Sequence, residues 1–157
     1  MTDQSPTLFL VGPGYSASRL AALCLDTGAW RVVGTARSED KAAALREKGI
    51  EPVLTNDRDG LSQAAKASHW VISTPPGDEG CPGFGLVGDF AREAASVTYL
   101  STTGVYGDRG GAMVCEKDAP TPRTARSCRR LAAEKAWLEF GEKHGVAVQI
   151  FRLAGIY

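Results

Sequence analysis

The sequence lacks any long apolar run. Nothing in it approaches the roughly 20 consecutive apolar residues that a membrane-crossing helix requires, so no membrane role is expected. Metal-ligand clusters are missing too: the two histidines, His69 and His144, stand far apart, and Cys24, Cys81, Cys115 and Cys128 form no C-x-x-C pair. That spacing excludes a zinc-type site and a disulfide framework, and the thiols read as structural residues of a reducing compartment. An excess of charge of one sign is also absent, with 18 Lys and Arg against 18 Asp and Glu. Without a basic block or a basic stripe interleaved with aromatics, no nucleic-acid partner is expected. The opening MTDQSPTLFLVG has neither the charged start nor the small-residue cleavage site of a secretory leader, so a cytoplasmic location is expected.

What is present is a regular alternation of apolar runs and helical periodicity. The 157 residues suit one domain over 1–157, because single cores divide only beyond roughly 250 residues. TLFLV reads as a first strand, GPG as a tight turn, and YSASRLAALCLDTG as a helix with Ala17, Leu20 and Leu23 at helical spacing. RVVGTA is a second strand, SEDKAAALREKG a helix with a Ser start and a Gly stop, and EPVL a third strand. LSQAAKA is helical, HWVIST is a fourth strand ended by Pro75 and Pro76, and GDEGCPGFG reads as a glycine-rich loop before a helix in LVGDFAREAA. VTYLST, a loop over 104–122, a long helix from ARSCRRLAAEKAW, and the strand VAVQIFRL complete the chain.

Strands joined by helices of this length need right-handed crossovers and hence a parallel sheet covered on both faces. The expected fold is therefore α/β, a doubly wound parallel sheet of the Rossmann type with strand order 3-2-1-4-5-6. In such sheets ligands sit beyond the carboxyl ends of the strands at the switch point, so the loops after strands one, two, four and five carry the information.

After strand one, VGPGYSASRLA places Gly12, Gly14 and Ala17 in a G-x-G-x-x-A pattern, with Tyr15 inside the turn as a further cofactor-binding candidate. Two glycines allow the turn and the approach of a pyrophosphate, which then rests on the helix N-terminus. After strand two, an NAD site carries Asp or Glu, whereas GTARSED places Arg37 there with Ser38 beside it. A guanidinium fork suits a 2′-phosphate, so NADP is the expected cofactor and NAD the alternative. In that alternative Arg37 is a solvated charge and Glu39 or Asp40 holds the ribose. After strand four, Ser73, Thr74 and Pro75 either line the nucleotide ribose or simply end the strand. After strand five, Ser101, Thr102 and Thr103 either bond a substrate hydroxyl or carbonyl or satisfy their own backbone.

VGPGYSASRLA, STTGVYG, CEKDAPTP, RLAAE and FRLAGIY, in this order, resemble the extended short-chain dehydrogenase/reductases, the NAD-dependent epimerase/dehydratase family, and more narrowly its atypical members with a STPP strand end. The resemblance implies an NAD(P)-dependent oxidoreductase or epimerase acting on a small hydroxyl or carbonyl substrate, with Thr102 assisting catalysis. The family's Tyr-x-x-x-Lys pair falls eight and four residues before Glu134, at Arg126 and Arg130. Arg130 can keep the positive charge and the ribose hydrogen bonds of the lysine, but a guanidinium stays protonated and cannot replace the phenol. The departure leaves two alternatives, a catalytically silent NADP-binding or sensing module and an incomplete enzyme. Tyr106, Asp108, Glu116 and Cys128 are substitutes of weaker claim. The resemblance also implies that the family's C-terminal substrate-binding segment lies outside these 157 residues. A homodimer is compatible with it.

Helical spacing places Arg126, Arg130, Ala133, Trp137 and Phe140 on one stripe, with Lys135, Glu139 and Glu142 opposite. Both arginines are therefore expected to point at the cofactor cleft.

Overall fold

The computed structural model describes residues 5–156. Residues 1–4 of the opening MTDQSPTLFLVG and Tyr157 of the closing FRLAGIY lie outside them. Six strands, β1 (Thr7–Val11), β2 (Arg31–Ala36), β3 (Glu51–Leu54), β4 (His69–Ile72), β5 (Ser96–Thr102) and β6 (Ala147–Leu153), form one sheet in the order β3-β2-β1-β4-β5-β6. Every pairing is parallel. The expected doubly wound Rossmann architecture is what forms, and its switch point lies between β1 and β4.

The sheet is parallel because each strand is followed by a helical crossover, and its central strands are apolar on both faces. In β1, Leu8 and Leu10 pack against α1 (Tyr15–Asp26) and α2 (Glu39–Arg46), in a cluster with Ala17, Ala21 and Ile50. Phe9 and Val11 point the other way and join Trp70, Ile72, Val97, Tyr99 and Trp137 beneath α3 (Arg58–Ala64), α4 (Pro82–Val87) and α5 (Ala125–His144). Phe9 meets Trp70 edge to face at 5.1 Å, and Phe84, Trp137 and Phe140 form a second aromatic contact group. In β5 burial alternates, so that Val97, Tyr99 and Ser101 are inside while Ser96, Thr98, Leu100 and Thr102 are half-exposed.

Two helices depart from the sequence expectation. α3 begins at Arg58, ahead of LSQAAKA, because the Asp57 carboxylate accepts from the Gly60 N–H at 2.9 Å and starts the helix there. α4 begins at Pro82, inside the segment expected to be a loop. Proline at the first helical position loses nothing, since that N–H is unbonded in any helix. The Gly83 N–H donates to Thr74 Oγ1 at 3.2 Å, seating the helix on the end of β4. The following 3-10 helix, Gly88–Glu93, takes the rest of the expected helical stretch.

Candidate functional site

The loop after β1 is built for close approach. Gly12 has φ +68, and a Cβ there would collide with Thr74 Cγ2 from the neighbouring strand end, so only glycine fits. Its N–H donates to the buried Thr35 Oγ1 at 2.8 Å, which locks the turn to β2. Gly14 differs. A Cβ there would find only Ser73 Oγ, 3.8 Å away, so the space beside it is left open by the protein itself. Gly14 caps α1 without any side-chain bond, and the first turn of α1 carries no acidic residue. The α1 backbone bond from Ser18 N–H to Gly14 C=O is the first of its ladder, which leaves the amides before it directed outward. An open cradle, free amides and the positive end of a helix dipole together fit a phosphate.

A cleft of about 530 Å³ opens from this cradle across the carboxyl ends of β1, β2 and β4. Of the expected cofactor residues, Gly12, Gly14, Arg37, Ser73, Thr74 and Pro75 line it. Ala17 is buried on the sheet-facing side of α1, where its small side chain allows close packing. Tyr15 is 68% exposed and does not line the cleft. Ser38 is not a lining residue either; its hydroxyl caps α2 by accepting from the Lys41 N–H. Lys41 and Lys48 of α2 and its neighbouring turn line the cleft and were not singled out from the sequence. Lys41 sits in the first turn of α2 and Lys48 in the turn after that helix, and only the fold brings the two to one cleft. No carboxylate lines the cleft among the described residues, and Glu39 faces Arg46 at 3.8 Å.

Thr102, Arg126 and Arg130 are not lining residues of this cleft. They sit at the carboxyl end of β5 and the start of α5. Thr102 Oγ1 accepts from the Gly104 N–H at 3.1 Å, so its acceptor serves its own backbone. The turn over Thr103–Tyr106 packs against the first turn of α5: a Cβ on Gly104 would stand 3.3 Å from Ser127 Oγ and 3.4 Å from Thr102 Oγ1. Thr124 caps α5 by accepting from the Ser127 N–H at 3.1 Å.

The expected inward stripe of α5 is displaced at its N-terminal end. Ala133, Trp137 and Phe140 are buried and Arg130 is half-buried, but Arg126 is exposed. Ser127 and Glu134 take the inward positions at this end of the helix. Arg130 Nη1 donates to the Leu100 carbonyl at 2.8 Å and to the Tyr99 hydroxyl at 3.2 Å. That nitrogen is thus committed to β5. Burial pushes the Tyr99 hydroxyl up to about 12, despite the lowering effect of Arg130 beside it, so this phenol stays protonated and is a reluctant proton donor.

Glu134, the last residue of RLAAE, is the centre of a buried network. It is 1% exposed. It accepts from Ser101 Oγ at 2.5 Å and from Arg152 Nε and Nη2 at 2.8 to 3.3 Å. Arg152 Nη1 donates to the Tyr106 hydroxyl at 2.8 Å, with its guanidinium 4.8 Å from the Tyr106 ring centre. The hydrogen bonds to Glu134 hold Arg152 above the ordinary arginine range. Tyr106 is therefore a buried anchor that accepts a hydrogen bond. Asp108 accepts from the Gly110 N–H, while Glu116 and Cys128 are exposed. No group of three or more His, Cys, Asp or Glu among the described residues could hold a metal ion, and no helix among them is long and apolar enough to cross a membrane.

Sheet order, glycine turn and switch-point cleft together define a Rossmann-type doubly wound domain. No family model matches the chain. It is 31% identical over 166 residues to Protein YeeZ of Escherichia coli (strain K12), a match that covers 94% of this chain and 57% of that protein. Among solved structures it is similar to a functionally unknown conserved protein from Silicibacter pomeroyi DSS, with 38% identity, a TM-score of 0.83, and coverage of 97% and 53% of the two chains. UDP-glucuronic acid 4-epimerase from Bacillus cereus, solved in complex with NAD, shares the fold at 18% identity, a TM-score of 0.76, and coverage of 96% and 57%. The chain thus spans about half the length of the relatives it matches.

Proposed function

We propose that this chain is the dinucleotide-binding domain of an NAD-dependent epimerase/dehydratase-type protein and that it takes NADP(H) in preference to NAD(H). The observation that carries the reading is the charge of the cleft: Arg37, Lys41 and Lys48 line it and no described carboxylate does. A ribose with two free hydroxyls calls for an acceptor at the end of β2, and a 2′-phosphate calls for cations there. The open cradle at Gly14 takes the pyrophosphate, with Ser73 beside it and Thr74 beside Gly12. The similarity in fold to epimerases solved with NAD supports a nicotinamide dinucleotide.

Bound there, the cofactor supplies hydride exchange with a carbonyl or hydroxyl carbon. On the protein side, Thr102 keeps its O–H free to donate to a substrate oxygen, because its bond to the Gly104 N–H uses only its acceptor. A second reading, cofactor binding without turnover, is favoured by one observation. The two phenols near the end of β5, Tyr99 and Tyr106, are both engaged by arginines, and an arginine stands at the position of the family's tyrosine.

Fluorescence titration of wild type and Arg37→Glu with NADPH and NADH tests the proposal. Losing a charged hydrogen bond at the 2′-phosphate costs about 1 to 3 kcal/mol, so NADPH affinity should fall roughly 5- to 150-fold while NADH affinity holds. Equal weakening of both would remove Arg37 from the 2′-phosphate.

A further inference from the structure

We infer that Thr35 and Thr74 are positioning residues of the dinucleotide site: they grip the Gly12 turn from the two strand ends that flank β1, Thr35 with its hydroxyl and Thr74 with its methyl group. The inference rests on the dinucleotide reading of the cleft and names what aims the amides of its phosphate cradle.

β1 lies between β2 and β4 in the sheet, and Gly12 is the first residue beyond it. Past the end of a strand no ladder holds the backbone, and glycine is the residue with the most conformational freedom to lose there. The turn must nevertheless keep one shape. α1 begins at Tyr15, three residues after Gly12, and its first amides can hold a phosphate only while they converge on it. Thr35 fixes the turn from β2: it is 6% exposed, it lines the cleft, and its Oγ1 is the acceptor of the Gly12 N–H at 2.8 Å. Arg37 follows two residues later on the same strand end, so this one bond also sets the separation between the phosphate cradle and the cation proposed for the 2′-phosphate.

From the β4 side the contact is apolar. Thr74 Cγ2 fills the space that a Cβ on Gly12 would take, with Thr74 Cα and Cβ 3.5 Å from that position. The Thr74 hydroxyl serves α4 instead: it accepts from the Gly83 N–H at 3.2 Å and lies 3.7 Å from Cys81 Sγ. A Cβ on Gly83 would stand 2.7 Å from Thr74 Oγ1 and 3.2 Å from Val11 Cγ1, so α4 sits directly on the residue that backs the glycine turn. Pro82 and Leu86 of α4 line the same cleft. The two threonines therefore have opposite chemical requirements. At position 35 serine keeps the acceptor and valine loses it, leaving the Gly12 N–H without its partner. At position 74 valine keeps the methyl behind Gly12, and serine loses it.

The test combines NADPH and NADH dissociation constants from fluorescence titration with hydrogen exchange of the Gly12 amide by NMR, for the 157-residue protein and its Thr35→Val, Thr35→Ser, Thr74→Ser and Thr74→Val variants. Thr35→Val should weaken both dinucleotides by the same factor, at least fivefold, and speed Gly12 exchange at least tenfold. Its preference between the two should stay within twofold of wild type, because Arg37 is untouched. Thr35→Ser should bring affinity and exchange back to within twofold of wild type. At position 74 the order reverses, with serine weakening both dinucleotides at least threefold and valine weakening them less. A merely structural role for Thr35 would loosen the end of β2 as a whole, so the preference would change along with affinity. That result, a Thr35→Val protein within twofold of wild type, a Thr35→Ser protein as weak as Thr35→Val, or a Thr74→Val protein weaker than Thr74→Ser would each overturn the inference. If wild type binds neither dinucleotide, the cleft reading falls separately and exchange alone decides the grip: fast Gly12 exchange in Thr35→Val but not in Thr35→Ser upholds it, and equal rates in Thr35→Val and wild type overturn it.

Discussion

Replacing Glu134 with leucine removes the one buried carboxylate among the described residues while nearly preserving its volume. Its oxygens accept from Ser101 and twice over from Arg152, and all of these donors lose their partner at once. Breaking a buried ion pair from one side costs about 3 to 5 kcal/mol, because a charge stays behind in a poor solvent. Here the Arg152 side chain is 20% exposed and keeps Tyr106, so the lower end, about 3 kcal/mol, applies. A domain of this size loses roughly 2 to 4 °C of Tm per kcal/mol, which gives a drop of about 6 to 12 °C. Thermal and urea unfolding followed by circular dichroism read it directly. The double variant Glu134→Leu with Arg152→Leu removes the orphaned charge and should recover much of the loss, so the two substitutions must be strongly non-additive. A Glu134→Leu protein within 2 °C of wild type, or additive behaviour of the pair, would refute the account of the network.

Gly14→Val should separate folding from binding: the new side chain meets nothing closer than Ser73 Oγ at its Cβ, so stability changes by about 1 kcal/mol or less, while NADPH affinity falls at least tenfold because the cradle is filled. Asp57→Ala removes the cap of α3 and should cost about 1 kcal/mol, seen as a Tm lower by roughly 2 to 4 °C with NADPH affinity retained. Acid sensitivity has a traceable part as well. The hydrogen bond from Arg31 at 2.8 Å holds the Glu51 carboxyl below its usual range, so this contribution is complete above the unfolded pKa and is lost as the pH falls through the lower folded one. Both side chains are more than half exposed, which keeps the effect at about 1 kcal/mol or less, and Arg31→Met should flatten the corresponding stretch of a urea-midpoint against pH profile.

The architecture was readable because its signals are local. TLFLV is apolar on both faces as a central parallel strand must be, Ser38 and Gly49 bracket α2, and the glycine pattern fixes the first turn. What escaped was set by contacts between distant elements. Glu134, Arg152, Tyr106 and Ser101 come from α5, β6, the turn after β5 and β5 itself, and no spacing in the sequence joins them. The position of Arg126 shows a related limit. A stripe at helical spacing says which residues share a face, but at the first turn the helix emerges from the packed layer, and the small Ser127, next to Gly104, takes the contact. The start of α4 escaped because four glycines between Gly77 and Gly85 resemble a loop, although Gly83 is needed for the helix to approach Thr74. Within the candidate site, Gly12, Gly14 and Arg37 were legible from motif position, whereas Lys41 and Lys48 enter the cleft only through the orientation of α2.

The switch-point cleft is proposed to read a 2′-phosphate. The most direct test of that reading is the ratio of NADH to NADPH dissociation constants for the wild-type chain at fixed, moderate salt. The cations lining the cleft predict a ratio of at least ten in favour of NADPH, shrinking as salt rises. A ratio near one, or tighter binding of NADH, would contradict the account.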